Sequence, residues 1–448
     1  MENKERVNAA LLVATETKAL EIGVNNLDGV AKMFKEQFPG KSAIVIADPN
    51  TYKAAGERVL CYFQAANITC EAPYLFTAED LHADYKYVEE LDHVLQNSEA
   101  IAVAVGSGTI NDLVKLASEH RKKPYMCVAT AASVDGYTSF GASITYKGSK
   151  QTFQCPAPQA VLADVNVMIT APFEMTAAGY ADLVAKVPAG ADWLLADVLG
   201  IDPIHPVAYN MVQGGLKEAI SNPHGVLQLE PNAIASFVEG LMLSGFAMQA
   251  SRSSRPASGA DHMFSHYWDM QHHTHNGLTP SHGFKVSIGT LATCAMYEEL
   301  FKYDLSKLDV NKAVQNWPSL GEVQKHAREL FANTDFPDLG YVEMTAKYSD
   351  KAQVRAQLET LKLQWPNLYP KLRAQINPYA ELSQWLSIVS APITPEEIGL
   401  SRTLLKTTYE CAMHLRRRFT VLDLVHRMGF FESMRDQIFS PAGVWPIK

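Results

Sequence analysis

Histidine is concentrated in one short part of the chain. Six of the 14 histidines lie between residues 262 and 282, namely His262, His266, His272, His273, His275 and His282. His262 and His266 are four residues apart and would share one face of a helix. His282 directly precedes a second segment with helical periodicity. Because imidazole nitrogen is a common metal ligand, the pattern favours a metal site. The alternative is that these are ordinary core or surface histidines.

A single aspartate in an apolar segment is the best candidate for a carboxylate ligand. Asp182 lies in AAGYADLVAK, residues 177–186, among small and apolar residues. A carboxylate is costly to bury there unless it is paired or binds a metal. One aspartate with two histidines leaves positions open for water or substrate, as catalytic metals require. We expect the surplus His272, His273 and His275 to lie in a solvated loop.

A second constellation is a glycine-rich turn. VAVGSGTIND, residues 103–112, places Gly106, Ser107 and Gly108 between an apolar strand and a helix. Such a turn lets the backbone approach a ligand closely, and the first amides of the helix can bind a pyrophosphate. An ordinary tight turn would have the same sequence. Asp48 ends an earlier strand and could bind ribose hydroxyls or cap the next helix.

The pattern of apolar residues predicts an α/β domain followed by a helical domain. Apolar runs at residues 42–48, 99–105, 124–130 and 160–165 alternate with helical patterns, which predicts a parallel sheet covered on both faces. From about Pro172 the apolar residues recur at steps of three and four. We therefore expect an α/β domain over residues 1–171 and a helical domain over residues 172–448. Near the C-terminus, Arg416, Arg417 and Arg418 are expected at a solvated helix end.

Composition excludes several classes of protein. Of the 448 residues, 47% are hydrophobic and 19% are charged, as in a globular protein with a substantial core. The net charge of −9 and the absence of a basic stripe argue against a nucleic-acid partner. The six scattered cysteines indicate neither a disulfide framework nor a zinc ribbon. No secretory signal or membrane-spanning segment is expected, so the sequence favours a cytoplasmic location without membrane insertion.

Five motifs in order resemble the glycerol-1-phosphate dehydrogenases, within the superfamily of iron-type alcohol dehydrogenases, glycerol dehydrogenase and dehydroquinate synthase. The motifs are GSGTINDLVK, TAASVDGYTS, AGYADLVAK, SRPASGADHMFSH and HGFKV. The bacterial, arabinose-operon type is the most similar. The resemblance implies a Rossmann-like nucleotide-binding α/β domain, an all-α C-terminal domain and an active site in the cleft between them. It further implies a cytoplasmic enzyme of phospholipid biosynthesis that forms homodimers or larger homo-oligomers.

The resemblance also implies roles for individual residues. NAD(H) or NADP(H) would contact Asp48, Gly106, Ser107, Gly108, Thr109, Ile110, Thr130, Ala131, Ala132, Ser133 and Ser139. The substrate would contact Asp135, Asp182 and His266. One divalent metal, zinc or nickel, would be bound by Asp182, His262 and His282. The catalytic set would then be Asp182, His262, His266 and His282.

The reaction implied is reduction of dihydroxyacetone phosphate, a small phosphorylated three-carbon ketone, to sn-glycerol 1-phosphate, and its reverse. A bound cation would stabilise negative charge on the carbonyl oxygen while the nicotinamide supplies hydride. The substrate phosphate needs basic partners, and Lys186, Arg252, Arg255 and Lys285 are the candidates near the motifs. The alternatives are a related polyol or glycerol dehydrogenase, a dehydroquinate-synthase-like lyase, and a non-catalytic protein that binds nucleotide or metal.

Overall fold

The chain forms two compact units in the computed structural model, which describes residues 3–78, 81–147 and 149–447. The first unit comprises Met1–Leu183 and Val207–Ser254, and the second comprises Val184–Pro206 and Arg255–Lys448. The units therefore do not divide at residues 171/172, because two helical stretches after that point belong to the first unit. As a boundary between a cofactor-binding and a metal-binding domain, 171/172 stays a prediction.

A parallel sheet is the framework of the first unit. The strands of the chain are β1 (Ala19–Gly23), β2 (Ala43–Ala47), β3 (Tyr74–Leu75), β4 (Ile101–Gly106), β5 (Tyr125–Ala129), β6 (Ala142–Tyr146), β7 (Ser149–Phe153) and β8 (Ala160–Asp164). Six of them form one sheet in the order β1-β8-β5-β4-β2-β3, with every pair parallel. The other two, β6 and β7, form an antiparallel hairpin. The predicted parallel α/β fold is confirmed.

The four strands predicted from sequence are β2, β4, β5 and β8. Every residue in them is buried, as expected where helices cover both faces of a sheet. Four further strands carry too weak a signal. β3 has only two residues, and β1 is a short strand with an exposed glutamate, Glu21. The hairpin strands ASITY and SKQTF contain no continuous apolar run.

Helices account for most of the remaining chain. The helices of the first unit are Asn3–Val13, Val30–Gln37, Pro49–Thr51, Glu57–Ala65, Tyr85–Leu95, Gly108–His120, Val165–Met168, Phe173–Val184, Pro206–Ile220, Pro223–Leu227 and Pro231–Ser251. Short 3-10 turns lie at Leu27–Gly29 and Gly136–Thr138, and a π-helical turn lies at Tyr52–Gly56. This π turn opens the helical segment predicted from Tyr52 to about Asn67.

The second unit is helical. Its helices are Lys186–Val198, Ala260–Met270, His282–Leu300, Val310–Gln315, Leu320–Phe331, Leu339–Lys347, Lys351–Gln375, Tyr379–Ile388, Arg402–His414, Val421–Arg427 and Phe431–Ile438. The 3-10 turns Arg255–Ala257, Leu305–Lys307 and Pro395–Ile398 connect some of them. No strand is present in the described part of this unit. The predicted helical C-terminal part is therefore confirmed.

One helix, Pro231–Ser251, is long and apolar enough to span a membrane by length and composition. Of the 18-residue apolar stretch of this helix, 78% is buried inside the protein. It packs against the N-terminal helix Asn3–Val13 and the turn Gly136–Thr138 of its own unit. Helices in protein cores commonly have this composition, so Pro231–Ser251 is a core helix.

Candidate metal and cofactor site

Three histidines come together in the second unit. His262 and His266 lie one turn apart on the helix Ala260–Met270, and His282 is the first residue of the helix His282–Leu300. The ring centres of His262 and His282 are 5.3 Å apart, and each lies 6.1 Å from that of His266. The predicted one-face arrangement of His262 and His266 is confirmed.

The two helices approach closely because Gly289 has no side chain. A Cβ atom on Gly289 would lie 2.1 Å from the carbonyl oxygen of Asp261. Any larger residue would therefore force the helices apart. The glycine is in this way part of the reason that His262 and His282 are neighbours.

A carboxylate holds the imidazole of His262 at one of its two ring nitrogens. The Nδ1 atom of His262 is in hydrogen-bond contact with Oδ2 of Asp261, and Oδ1 of Asp261 accepts the amide of Gly259 at 3.1 Å. A carboxylate on one ring nitrogen favours the tautomer whose other nitrogen, Nε2, is a lone-pair donor. Nδ1 of His282 lies 3.4 Å from the hydroxyl of Ser265, a longer contact.

A buried aspartate fixes the start of the histidine helix. Asp192 accepts the amide of Ala260 at 2.8 Å through Oδ2, and the hydroxyl of Tyr297 at 2.7 Å through Oδ1. The side chain is fully buried, and burial raises its pKa to about 7 against the hydrogen bonds that lower it. Asp192 therefore acts as a non-local cap for the helix that carries His262 and His266.

Asp182 has its own network in the first unit. It lies in the last turn of the helix Phe173–Val184 and is fully buried. Its Oδ2 accepts the amide of Asp135 at 3.1 Å, and the carboxylate of Asp135 in turn accepts the hydroxyl of Ser244 at 2.8 Å. These bonds orient two carboxylates for which the resemblance implies roles in binding metal and substrate.

Asp182, His262 and His282 form a candidate metal site. Each offers one potential ligand atom, and these atoms lie within 4.8 Å of one another. Among the described residues this is the only such group of three. These are the three residues that the resemblance implies as metal ligands, and their metal-binding role stays a prediction. One carboxylate with two imidazoles suits zinc, nickel or iron(II).

The surplus histidines make contacts with another part of the second unit. Nε2 of His273 lies 2.6 Å from the carbonyl oxygen of Ile398, and the ring of His275 packs on Gly399. His272 is exposed and lies 3.5 Å from a carboxylate oxygen of Asp335. The predicted solvated loop is confirmed for His272, whereas His273 and His275 are half-buried.

Two of the segments predicted to bind the nicotinamide cofactor, residues 106–110 and 130–133, follow the neighbouring strands β4 and β5 and meet at their carboxyl ends. Gly106 pairs with Ala129 in the register of these strands, and the amide of Thr130 donates to the carbonyl oxygen of Gly106 at 3.1 Å. A Cβ on Gly108 would meet the side chain of Val134 at 2.9 Å. The glycine turn and the segment 130–134 are therefore in direct contact, as a shared binding surface requires.

Tight packing explains the small residues in this region. A Cβ on Gly179 would lie 2.0 Å from the carbonyl oxygen of Ala132, so a helix backbone passes directly over the segment 130–133. Ala131 and Ala132 are almost fully buried, as are Thr130 and Ser133. Ser107 precedes the helix Gly108–His120 and makes no capping bond through its side chain.

Asp48 caps a helix. Its Oδ1 accepts the amides of Asn50 at 2.8 Å and Thr51 at 2.9 Å, and the hydroxyl of Thr51 accepts the amide of Asp48. The capping alternative left open by the sequence is therefore present. Because only Oδ1 makes these bonds, contact with a ribose stays a prediction.

The basic candidates for the substrate phosphate have protein partners. Arg252 pairs with Glu16 at 2.6 Å and has a largely exposed side chain. Arg255 is buried, pairs with Asp202 at 2.9 Å and donates to the carbonyl oxygens of two residues. Lys285 is paired with Asp269. Lys186 is fully buried.

Asp261, Asp192 and Ser244 make contacts near the candidate site that were not predicted from the sequence. Asp261 has a signal, because an acidic residue directly precedes a candidate ligand. Asp192 and Ser244 have none, since their partners lie 68 and 109 residues away along the chain. Only the folded chain brings them together.

Comparison with known proteins finds relatives of this fold. Residues 21–172 match the family described as iron-containing alcohol dehydrogenase. The structure is similar to that of glycerol dehydrogenase from Schizosaccharomyces pombe, with a TM-score of 0.58 over 94% of this chain and 91% of that chain at 14% identity. At that identity the similarity concerns the fold alone.

Sequence relatives define the family more closely. The chain is 33% identical to glycerol-1-phosphate dehydrogenase [NAD(P)+] of Bacillus subtilis over 386 residues, which is 86% of this chain and 84% of that protein. It is 30% identical to the protein of the same name from Geobacillus thermodenitrificans, over 85% and 86% of the two chains. This chain belongs to the glycerol-1-phosphate dehydrogenase family, a family of NAD(P)-linked oxidoreductases.

Proposed function

We propose that the chain catalyses the NAD(P)H-linked reduction of dihydroxyacetone phosphate to sn-glycerol 1-phosphate, and the reverse oxidation, with one divalent metal. The observation that carries this proposal is the relationship to glycerol-1-phosphate dehydrogenase [NAD(P)+] over most of both chains. The candidate ligands Asp182, His262 and His282 support it, since their atoms are close enough to share one ion.

The donor chemistry fits the metal. A buried aspartate supplies the negative charge that a divalent cation needs, and two imidazoles supply neutral donors. The bond between Asp261 and Nδ1 of His262 leaves Nε2 of His262 as the atom that would bind the metal. Three protein ligands leave at least one coordination position for a substrate oxygen.

The chemistry divides between bound groups and protein. When bound, the metal would stabilise negative charge on the carbonyl oxygen and the nicotinamide would supply hydride. The chain would orient both reactants. His266 would bind a substrate hydroxyl and hold or pass on a proton at an imidazole nitrogen. Asp135 would accept a hydrogen bond from another hydroxyl, with its carboxylate oriented by Ser244.

The cofactor would lie at the carboxyl ends of β4 and β5. Amides at the start of the helix Gly108–His120 would bind its pyrophosphate, since helix N-termini attract anions. The segment Thr130–Ser133 and Ser139 would form the adjoining wall. Asp48 would contact the adenosine ribose with the carboxylate oxygen that does not cap the helix.

The test is a spectrophotometric assay on the purified, metal-loaded protein. NADH and NADPH are offered in turn with dihydroxyacetone phosphate, unphosphorylated dihydroxyacetone and buffer alone. The proposal expects cofactor oxidation with the phosphorylated ketone, and the reverse reaction with sn-glycerol 1-phosphate but not with its 3-phosphate enantiomer. Preference for the unphosphorylated ketone would indicate a polyol dehydrogenase. No oxidation of either cofactor would contradict the proposal.

A further inference from the structure

Lys115 is a fully buried lysine with an unusual set of partners. It lies on the helix Gly108–His120, and its ammonium donates to the carbonyl oxygens of Gly136, Ser139 and Gly141, each at 3.0 Å. A buried ammonium is costly unless all its protons are bonded, and here three donors meet three acceptors. The carboxylate of Asp112, 3.6 Å away, provides a nearby opposite charge.

The three carbonyls belong to a single loop. This loop, residues 135–141, begins at Asp135 and includes Ser139, the residues proposed for substrate and cofactor. It turns at Gly141, whose φ of +76° favours glycine. The helix Pro231–Ser251 also holds the loop, at Thr138, whose hydroxyl donates to the carbonyl oxygen of Met242 at 2.7 Å.

The position of Lys115 along its helix links the loop to the glycine-rich turn 106–110, which is proposed to bind the pyrophosphate. The helix begins at Gly108, so Lys115 lies two turns beyond the amides proposed for pyrophosphate. On the same helix, the side-chain amide of Asn111 lies 3.4 Å from the carbonyl oxygen of Gly136. One rigid helix therefore carries the anion-binding turn at its start and the anchor of the loop near its middle.

We propose that Lys115 is a positioning residue that fixes the loop 135–141 relative to the turn 106–110, so that cofactor and substrate meet a pre-formed surface. The inference rests on the proposed function, because it uses the roles given there to Asp135 and Ser139. Lys115 touches neither reactant. It acts through the three carbonyls that it holds.

Loss of the ammonium would leave the loop to be ordered at the moment of binding. Ordering the backbone of one residue at that moment would raise a dissociation constant roughly tenfold. We therefore expect the Lys115→Met variant to bind NADH about tenfold more weakly, and the KM for dihydroxyacetone phosphate to rise by a similar factor.

The matched control is Lys123→Met. Lys123 lies in the loop that follows the same helix. Like Lys115 it donates to a backbone carbonyl, that of Ser98 at 2.7 Å. NADH binding is measured by fluorescence titration at a temperature where circular dichroism shows each variant folded. Hydrogen exchange of the 135–141 peptide is followed by mass spectrometry. Faster exchange there in Lys115→Met, but not in Lys123→Met, is the expected result.

Other outcomes are distinguishable. A lowered melting temperature with unchanged NADH affinity and KM would show that Lys115 is merely structural, and would overturn the proposal. Lys115→Gln retains two N–H donors and is judged by the same criteria if Lys115→Met does not fold. If the unmodified protein binds NADH but does not reduce dihydroxyacetone phosphate, the proposed function fails, while the NADH affinities still decide the role of Lys115.

Discussion

At the scale of single residues, His266 separates substrate chemistry from metal binding. It lies one turn from His262, but the group Asp182, His262 and His282 is complete without it. His266→Ala should keep the metal and NADH binding while kcat/KM for dihydroxyacetone phosphate falls by roughly tenfold to a hundredfold, the effect of one lost hydrogen bond to a polar ligand. Steady-state kinetics with a thermal melt decide it. Near-normal kcat/KM with a lowered melting temperature would mean that His266 only packs.

Asp261 should affect the metal without binding it. Its carboxylate holds Nδ1 of His262, so Asp261→Asn should leave the fold intact and weaken metal affinity by about 10- to 100-fold, the usual effect of losing such a partner. Competition with a chromogenic chelator measures this affinity. His275→Ala is the control, because His275 packs on Gly399 outside the candidate site. Equal affinities for Asp261→Asn and the unmodified protein would contradict this role.

At the scale of helices, replacing a glycine where two backbones approach closely should destabilise the protein more than replacing an exposed glycine. A Cβ on Gly245 would lie 2.1 Å from Oγ1 of Thr138 and 2.8 Å from the carbonyl oxygen of Asp135. Gly245→Ala should therefore destabilise the protein by about 1–3 kcal/mol, the usual cost of overpacking. Gly214→Ala is the control, because a Cβ there meets nothing within 4 Å and alanine favours helix. Urea denaturation that finds the two variants equally stable would contradict this packing.

The basic triplet near the C-terminus shows where local pattern fails. Arg417 fits the predicted solvated helix end, with a 65% exposed side chain paired to Glu343 at 3.4 Å. The prediction is wrong for Arg416 and Arg418. Both are half-buried, and both lie in the segment of the chain that connects the helices Arg402–His414 and Val421–Arg427. Burial, with the nearby charges of Arg255 and Arg416, lowers the pKa of Arg418 to about 9, and its guanidinium donates to the carbonyl oxygen of Ser258 at 2.6 Å.

The elements that could be predicted from the sequence are those with a long, continuous local pattern. The strands β2, β4, β5 and β8 are buried on both faces, so their sequences are continuous apolar runs that stand out. The pair His262 and His266 was predictable because helical spacing is local. The contacts Asp192–Ala260 and Lys115–Gly136 were not, because each depends on tertiary packing that no local pattern encodes.

At the scale of the whole molecule, two histidines, the buried His414 and the half-buried His426, should make the fold sensitive to acid. Burial lowers the pKa of His414 and of His426 to about 4, from an ordinary value near 6.5. Because the unfolded chain binds protons more readily, their contribution is fully present above pH 6.5 and is lost as the pH falls toward 4. Each histidine should cost about 3 kcal/mol of stability by pH 4.

Urea denaturation at pH 7 and pH 4.5 tests this expectation. The loss of stability between the two pH values should be smaller in His414→Gln than in the unmodified protein. His272→Gln, at an exposed position, should leave it unchanged. Comparison of variants is needed because buried Asp192, with its pKa raised to about 7, has the opposite effect over this range. An identical pH dependence in His414→Gln would show that His414 titrates normally.

The proposed metal dependence is tested most directly by a metal titration of chelator-treated protein. The rate of NADH oxidation with dihydroxyacetone phosphate is followed as zinc or nickel is added, with bound metal determined by atomic absorption. We expect activity that rises in proportion to bound metal and saturates at one ion per chain, and we expect neither bound metal nor activity in His262→Ala. Full activity in the metal-free protein, or one tightly bound ion in His262→Ala, would contradict this expectation.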